Sequence, residues 1–158
     1  MILFTHASML DHEPPRGHAE HAGRLQAVLD ALEDMQLDRR DAPMAQREAL
    51  TRVHPGAYVD ALEPAFAEAR EARVRLDADT YISSGSREAV YRAAGACVAA
   101  VDAVMQGDDE MAFCAVRPPG HHAEPISPMG FCIFNNVAIG ALHALDAHGL
   151  SRVAVIDF

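Results

Sequence analysis

The sequence predicts an α/β protein built on a parallel sheet, and three observations carry that prediction. Two short continuous apolar runs, AFCAV at 112–116 and VAVID at 153–157, have the length and character of strands covered on both faces. A helical stretch from Asn135 to Ala147 lies between them and closes at Gly149, a usual helix stop. Strand, loop, helix and strand in that order make a parallel β-α-β unit. Ligands of such sheets sit beyond the carboxyl ends of the strands. The loop after AFCAV, and Asp157 at the end of VAVID, are therefore where a site belongs.

The upstream elements follow in order. MILFT, residues 1–5, reads as a short buried strand. DHEPPRGHAEHAG, 11–23, is rich in His, Pro and Gly and reads as loop. Leu25, Val28, Leu29, Leu32 and Met35 then recur at helical spacing and make one apolar face. Residues 38–55 are mixed and polar, with a short helix around Met44–Leu50. A second helical stretch covers Gly56–Ala72, with Tyr58, Leu62 and Phe66 on one side. VRLDADTYISSGS, 74–86, reads as loop, and Ser86 is predicted to cap the next helix, with Glu88 in its first turn. That helix, about Arg87–Met105, is rich in alanine and stops at Gly107.

Bulk properties bound the function. The 158 residues suffice for one domain with a real core, and half of them are apolar. A net charge of −10 argues against affinity for nucleic-acid backbone or an anionic membrane surface, but leaves open a basic substrate such as a protein tail or a polyamine. The three cysteines, Cys97, Cys114 and Cys132, have no CxxC spacing, which excludes a zinc knuckle and a thioredoxin-like motif. Their odd number, with no basic leader before the MILF run, fits a reducing cytoplasm. The longest apolar stretch, AAGACVAAVDAVM, is broken by Asp102 and too short to span a membrane.

The chemistry is concentrated in RPPGHHAEP, 117–125. Pro118 and Pro119 stiffen the approach, and Gly120 permits a sharp turn, so His121 and His122 are held in defined positions. By itself a His-His pair is usually a loop feature or an adventitious metal contact. Adjacent side chains seldom converge on one ion, so the pair suggests acid–base work more than metal ligation. Two neighbouring imidazoles titrate as a coupled pair, and a carboxylate beside one of them fixes its tautomer. Asp157 is the candidate carboxylate.

RPPGHHAEPISPMGFCIFNNVAIGALHAL, followed by RVAVIDF, resembles the histone deacetylase family. The likeness is to its class II-like and bacterial members: histone deacetylase-like amidohydrolases, acetylpolyamine amidohydrolases and acetoin-utilisation proteins. HEPPRGHAEHAGRLQAV is similar to the family's N-terminal segment, with departures at Ala19, His21 and Ala22, and the likeness covers essentially the whole chain. It implies a three-layer α/β/α parallel sheet of the arginase/deacetylase type. It implies zinc-dependent hydrolysis of N-acetyl amides on acetyl-lysine or acetylated polyamine. The Ala- and Arg-rich composition and compact N-terminus suggest a bacterial source, hence a bacterial cytoplasm. His122 would be the general base and then the acid. His121 would be its hydrogen-bonding partner, steadied by Asp157. Phe131 would wall the substrate tunnel, with Gly130 letting the acyl chain pass close to the backbone. Cys132 would be packing near the tunnel floor, Asp79 would stand on the rim, and Asp157 would also serve a potassium ion. Asn135 and Asn136 read as structural, and His6, His12, His18 and His21 as surface or rim residues.

The zinc ligands of the family follow this last strand in a pattern like DxDxHHGNG, of which the chain has only the first Asp, as Asp157. The chain is therefore expected to be the N-terminal part of one deacetylase domain, cut after the strand ending at Asp157. It would be inactive until completed by a C-terminal half. A fragment of a longer protein is the favoured explanation. A split deacetylase that needs a second chain, and a short paralogue serving as a non-catalytic binding or assembly module, are the alternatives; by itself the half-domain would be steadied by its other half or as a homo-oligomer.

Overall fold

A computed structural model describes residues 1–157. Three strands form a parallel sheet: β1 (Ile2–Thr5), β2 (Asp38–Asp41) and β5 (Ala112–Cys114). β1 is central, with Ile2 opposite Asp38 on one side and Ala112 on the other. A two-stranded antiparallel ribbon joins β3 (Val74–Arg75) to β4 (Tyr81–Ile82). The helices are α1 (Ala22–Ala31), α2 (Arg47–Leu50), α3 (Gly56–Glu68), α4 (Ser86–Gln106) and α5 (Asn136–His148).

The core divides in two. Ile2, Leu3 and Phe4 of β1 pack with Leu25 of α1 and with Ala89, Ala96 and Ala103 of α4. The small residues of α4 let the helix lie close to the sheet, as an apolar stripe at helical spacing allows. Tyr58, Leu62 and Phe66 of α3 pack with Tyr91, Ile133, Phe134 and Ile139 beneath the histidine loop. This α/β arrangement agrees with the fold class expected from the sequence. No helix among the described residues is long and apolar enough to cross a membrane.

Four local expectations are corrected. Residues 74–86, read as loop, contain the paired strands β3 and β4, held by backbone bonding that needs no apolar pattern. β2, read as a mixed polar stretch, is a strand. It lies at the sheet edge, its Arg40 is paired with Asp38 (2.7 Å) and Asp108 (2.6 Å), and an edge strand needs no apolar pattern. Ser86 does not cap α4; Gly85 holds that position. The Ser86 hydroxyl instead accepts from the Ser83 N–H and meets His12 Nδ1, each at 2.7 Å. VAVID is not a strand, because no ladder joins 153–157 to β5, and Val155 and Ile156 are 55% and 84% exposed. A central parallel strand needs cover on both faces, which these side chains lack.

Candidate functional site

The 117–125 loop is held from beneath by buried polar struts. Arg117, 3% exposed, makes a two-pronged pair with Glu20 and donates to the carbonyls of Met9 (2.7 Å) and His12. A buried guanidinium is tolerable only when carboxylate and carbonyl oxygens take up its donors, as here. A Cβ on Gly120 would lie 2.5 Å from the Asn136 nitrogen, so only glycine fits at that turn. Asn136 donates to the Pro118 carbonyl (3.3 Å) and Asn135 to that of Ala123 (3.0 Å). Asn135 also caps α5, accepting from the Ala138 N–H at 3.1 Å. Both asparagines are the structural residues the sequence suggested.

His54 is the strut that sequence reasoning missed. It is fully buried, its Nδ1 donates to the Pro125 carbonyl (3.0 Å), and its Nε2 accepts the Asn135 N–H (2.9 Å). These two bonds set the tautomer, and burial holds the ring's pKa below the usual histidine value. Its only signal in the sequence is a His-Pro pair before α3, which marks a helix start and nothing more.

On this base the histidine pair faces solvent. The rings of His121 and His122 stand 4.1 Å apart between centroids, inclined at 61°. His121 Nδ1 lies 2.9 Å from Oδ2 of Asp157. His122 rests on Gly130, whose φ of +56° is left-handed; a Cβ there would come within 2.7 Å of His122 Cδ2. Phe131 also has a left-handed φ, 71°, which a bulky residue adopts only when its surroundings impose it. Its N–H donates to Thr80 Oγ1 at 3.0 Å, and its ring meets His18 edge-on at 4.9 Å. Cys132 is fully buried, its thiol donates to the Gly130 carbonyl (3.3 Å), and burial raises its pKa. An inert packing thiol is the result.

Asp79 is exposed on the 77–80 turn, which the Asp77 carboxylate closes by accepting from the N–H groups of Asp79 (2.9 Å) and Thr80 (2.6 Å). What Asp79 presents to its neighbours is its carbonyl, 2.9 Å from His18 Nε2. The structure thus brings His121, His122, Asp157, Gly130 and Phe131 into one patch and ties the Asp79 turn to it through His18 and Thr80. His18 sits on the rim as expected. His12 does not: it is 2% exposed, and burial, with Arg117 next in effect, pushes its pKa down to about 3. Thr80 and the Glu20–Arg117 pair are further functional supports that the sequence did not signal.

Two imidazoles, one with a carboxylate at its back, can hold a proton and pass it to a group bound above them. The zinc implied by the resemblance finds no ligand set here. Among the described residues, the one cluster of three potential metal donors is Asp102, His143 and His148, on α4 and α5.

Comparison with known proteins bears on this patch. Residues 18–158 match the family model of the histone deacetylase domain. The chain is 40% identical over 152 residues to a histone deacetylase-like amidohydrolase of Pseudomonas aeruginosa, an alignment covering 92% of this chain and 39% of that protein. It is 36% identical to histone deacetylase 14, chloroplastic, of Arabidopsis thaliana, over 99% of this chain and 41% of the relative. With the human polyamine deacetylase HDAC10 it shares 37% identity over 96% of its own length and 24% of the relative's. The crystal structure of the HDA15 HD domain superposes with a TM-score of 0.85 at 30% identity, covering 93% of this chain and 44% of that one. The chain thus spans about two-fifths of the length of the first two relatives.

Proposed function

The chain belongs to the histone deacetylase family, and from that premise we propose that it carries the acid–base half of a site that hydrolyses N-acetylated amines. The observation that carries the reading is the His121–His122 pair, with Asp157 2.9 Å behind His121 and Gly130 beneath His122. His122 takes a proton from the attacking water and returns it to the leaving amine. His121, oriented by Asp157, balances the charge that builds on its neighbour. The Asp157 oxygen turned away from His121 is the one available to a potassium ion. Phe131, its backbone pinned by Thr80, walls the path of the acyl chain; Gly130 keeps that path open, and Asp79 marks its rim.

Zinc, which the resemblance implies, would supply a Lewis acid for the acetyl carbonyl. Its ligands are not among the residues beside the pair, so no step is assigned to it here. We propose accordingly that residues 1–158 are the N-terminal part of a single deacetylase domain, and that they turn over substrate only when the remainder is supplied. The two-fifths span of the relatives supports this, as does the exposure of Val155 and Ile156. The three free thiols fit a reducing compartment, and the proposal places the protein in a bacterial cytoplasm. Acetyl-lysine in protein and acetylated polyamine are the proposed substrates; the −10 charge suits either cation.

The test is acetate release from an acetyl-lysine peptide and from an acetylated diamine. It uses the protein as isolated from its host, with intact mass and zinc content measured on the same sample. Turnover that falls by about 10²-fold or more in His122→Ala is expected. A wild-type rate retained in that variant would overturn the assignment.

A further inference from the structure

Helices α4 and α5 run side by side in the same direction. Gly140 of α5 backs onto Cys97 of α4, where an added Cβ would sit 3.3 Å from that of Cys97. Further along, Asp102 of α4 faces two histidines of α5. Nε2 of His143 and Nε2 of His148 lie 2.6 and 2.7 Å from the same carboxylate oxygen, Oδ1 of Asp102. The two rings are nearly perpendicular, with centroids 5.4 Å apart, and the three donor atoms all fall within 4.8 Å of one another. His148 ends α5, so it stands about 18 Å along the helix from Asn136, which braces the histidine loop.

We propose that Asp102, His143 and His148 form a binding site for a divalent transition-metal ion of the zinc type, separate from the His121–His122 pair. Two neutral imidazoles and one carboxylate suit zinc, cobalt, nickel and copper, and are poor company for magnesium or calcium, which want oxygen. Three protein ligands leave one position open. Asp102 and His143 also line a cavity of about 330 Å³ between α4 and the 43–52 segment, which gives water or a small ligand access to that position. The cluster lies at the negative ends of two parallel helices: His148 is the last residue of α5, and Asp102 stands about one turn from the end of α4. Aligned peptide dipoles favour a cation at such a place. His143 is largely buried, and its Nδ1 has no partner, so the ring is held only through the nitrogen turned on the cluster.

Each histidine nitrogen now stands at hydrogen-bond separation from the Asp102 oxygen. At zinc–ligand distances of about 2.0–2.1 Å a tetrahedral set would stand roughly 3.3 Å apart, so loading spreads the contacts by roughly 0.6 Å. Asp102 and His148, with side chains 37% and 19% exposed, can give that much by rotation.

The experiment is a titration of chelator-stripped full-length protein with Co²⁺ and then Zn²⁺. It is read by the visible absorption of low-coordinate Co²⁺, by calorimetry, and by metal per chain. The wild type is compared with Asp102→Asn and His148→Gln, each checked for fold by circular dichroism. Beyond any equivalent taken up by the family's catalytic ligands, one further saturable equivalent is expected, displaced by zinc, and weakened at least tenfold in both variants, a loss that even an outer-shell change can produce (~10–100-fold). Metal rebound by the family's catalytic ligands is unaffected by these substitutions and is counted as a separate equivalent, so the two readings fail independently. His148→Gln, at the more exposed ligand, answers the question if Asp102→Asn does not fold. No saturable Co²⁺ spectrum in the wild type, or equal metal content and affinity in a folded variant, would show a hydrogen-bonded His-Asp-His clasp only and would overturn the proposal.

Discussion

Gly130 lies directly under the ring of His122: a Cβ built at 130 would sit 2.7 Å from His122 Cδ2 and 2.9 Å from its Cβ and Cγ. The glycine is thus required twice, once for its φ of +56° and once for the space. Gly130→Ala should cost ~1–2 kcal/mol for the left-handed backbone. It should also lower turnover about 10²-fold, because the ring it displaces is the proposed acid–base group. Urea unfolding and kcat measured on the same variant separate the two effects; an unchanged kcat would remove His122 from the chemistry.

Glu20 and Arg117 form a buried ion pair, 1% and 3% exposed. Glu20→Ala strands the guanidinium without a carboxylate, and such a loss costs about 3–5 kcal/mol. Glu20→Gln should cost less, since the amide oxygen still accepts. The order Ala worse than Gln, read from denaturant midpoints, is the prediction; equal losses would mean that packing rather than charge holds Arg117.

His54→Phe keeps the bulk of the ring and removes both of its hydrogen bonds. The Pro125 carbonyl and the Asn135 N–H then lose this partner, and because both bonds are only part-buried the loss is about 1 kcal/mol for each. Amide exchange at Asn135 should accelerate more than exchange in β1. Uniform acceleration would show global destabilisation instead of a loosened loop.

His12 gives the fold an acid limit. Its pKa falls from 6.5 in the unfolded chain to about 3 in the fold, through burial first and Arg117 second. A depressed pKa means that the folded state binds fewer protons, so the stability contribution is complete above pH 6.5 and drains away as pH falls toward 3. The slope in that window should approach one proton per molecule for this residue. His12→Asn should flatten stability against pH there, measured by thermal melts across the window. An unchanged slope would mean that the carboxylates account for it.

How much of this was legible follows from where each residue's partners lie. His121 and His122 were legible because their chemistry and their stiffening residues sit in one stretch of nine. Gly130 and Phe131 were indicated only by the family resemblance. His54 was not, because its partners lie 71 and 81 positions away and nothing near it in sequence marks the ring as a strut. Thr80 reads as one more polar residue of a turn, and only the folded chain brings its hydroxyl under Phe131. β2 was missed because backbone pairing at an edge tolerates Asp-Arg-Arg-Asp, which carries no period-two pattern. The opposite error befell VAVID: apolar composition reports what a segment would gain from burial, not whether anything is there to bury it.

The struts under the histidine loop also set an order of events. Arg117 takes its partners from Met9, His12 and Glu20, 97 to 108 positions earlier. On a ribosome adding about 5–20 residues per second, those N-terminal carbonyls and the Glu20 carboxylate wait roughly 5–20 seconds for the guanidinium that satisfies them. The histidine loop is thus among the last parts of this segment able to consolidate. A nascent chain shorter than about 120 residues should hold its first strand without a partner on one side, and be the species a holding chaperone meets.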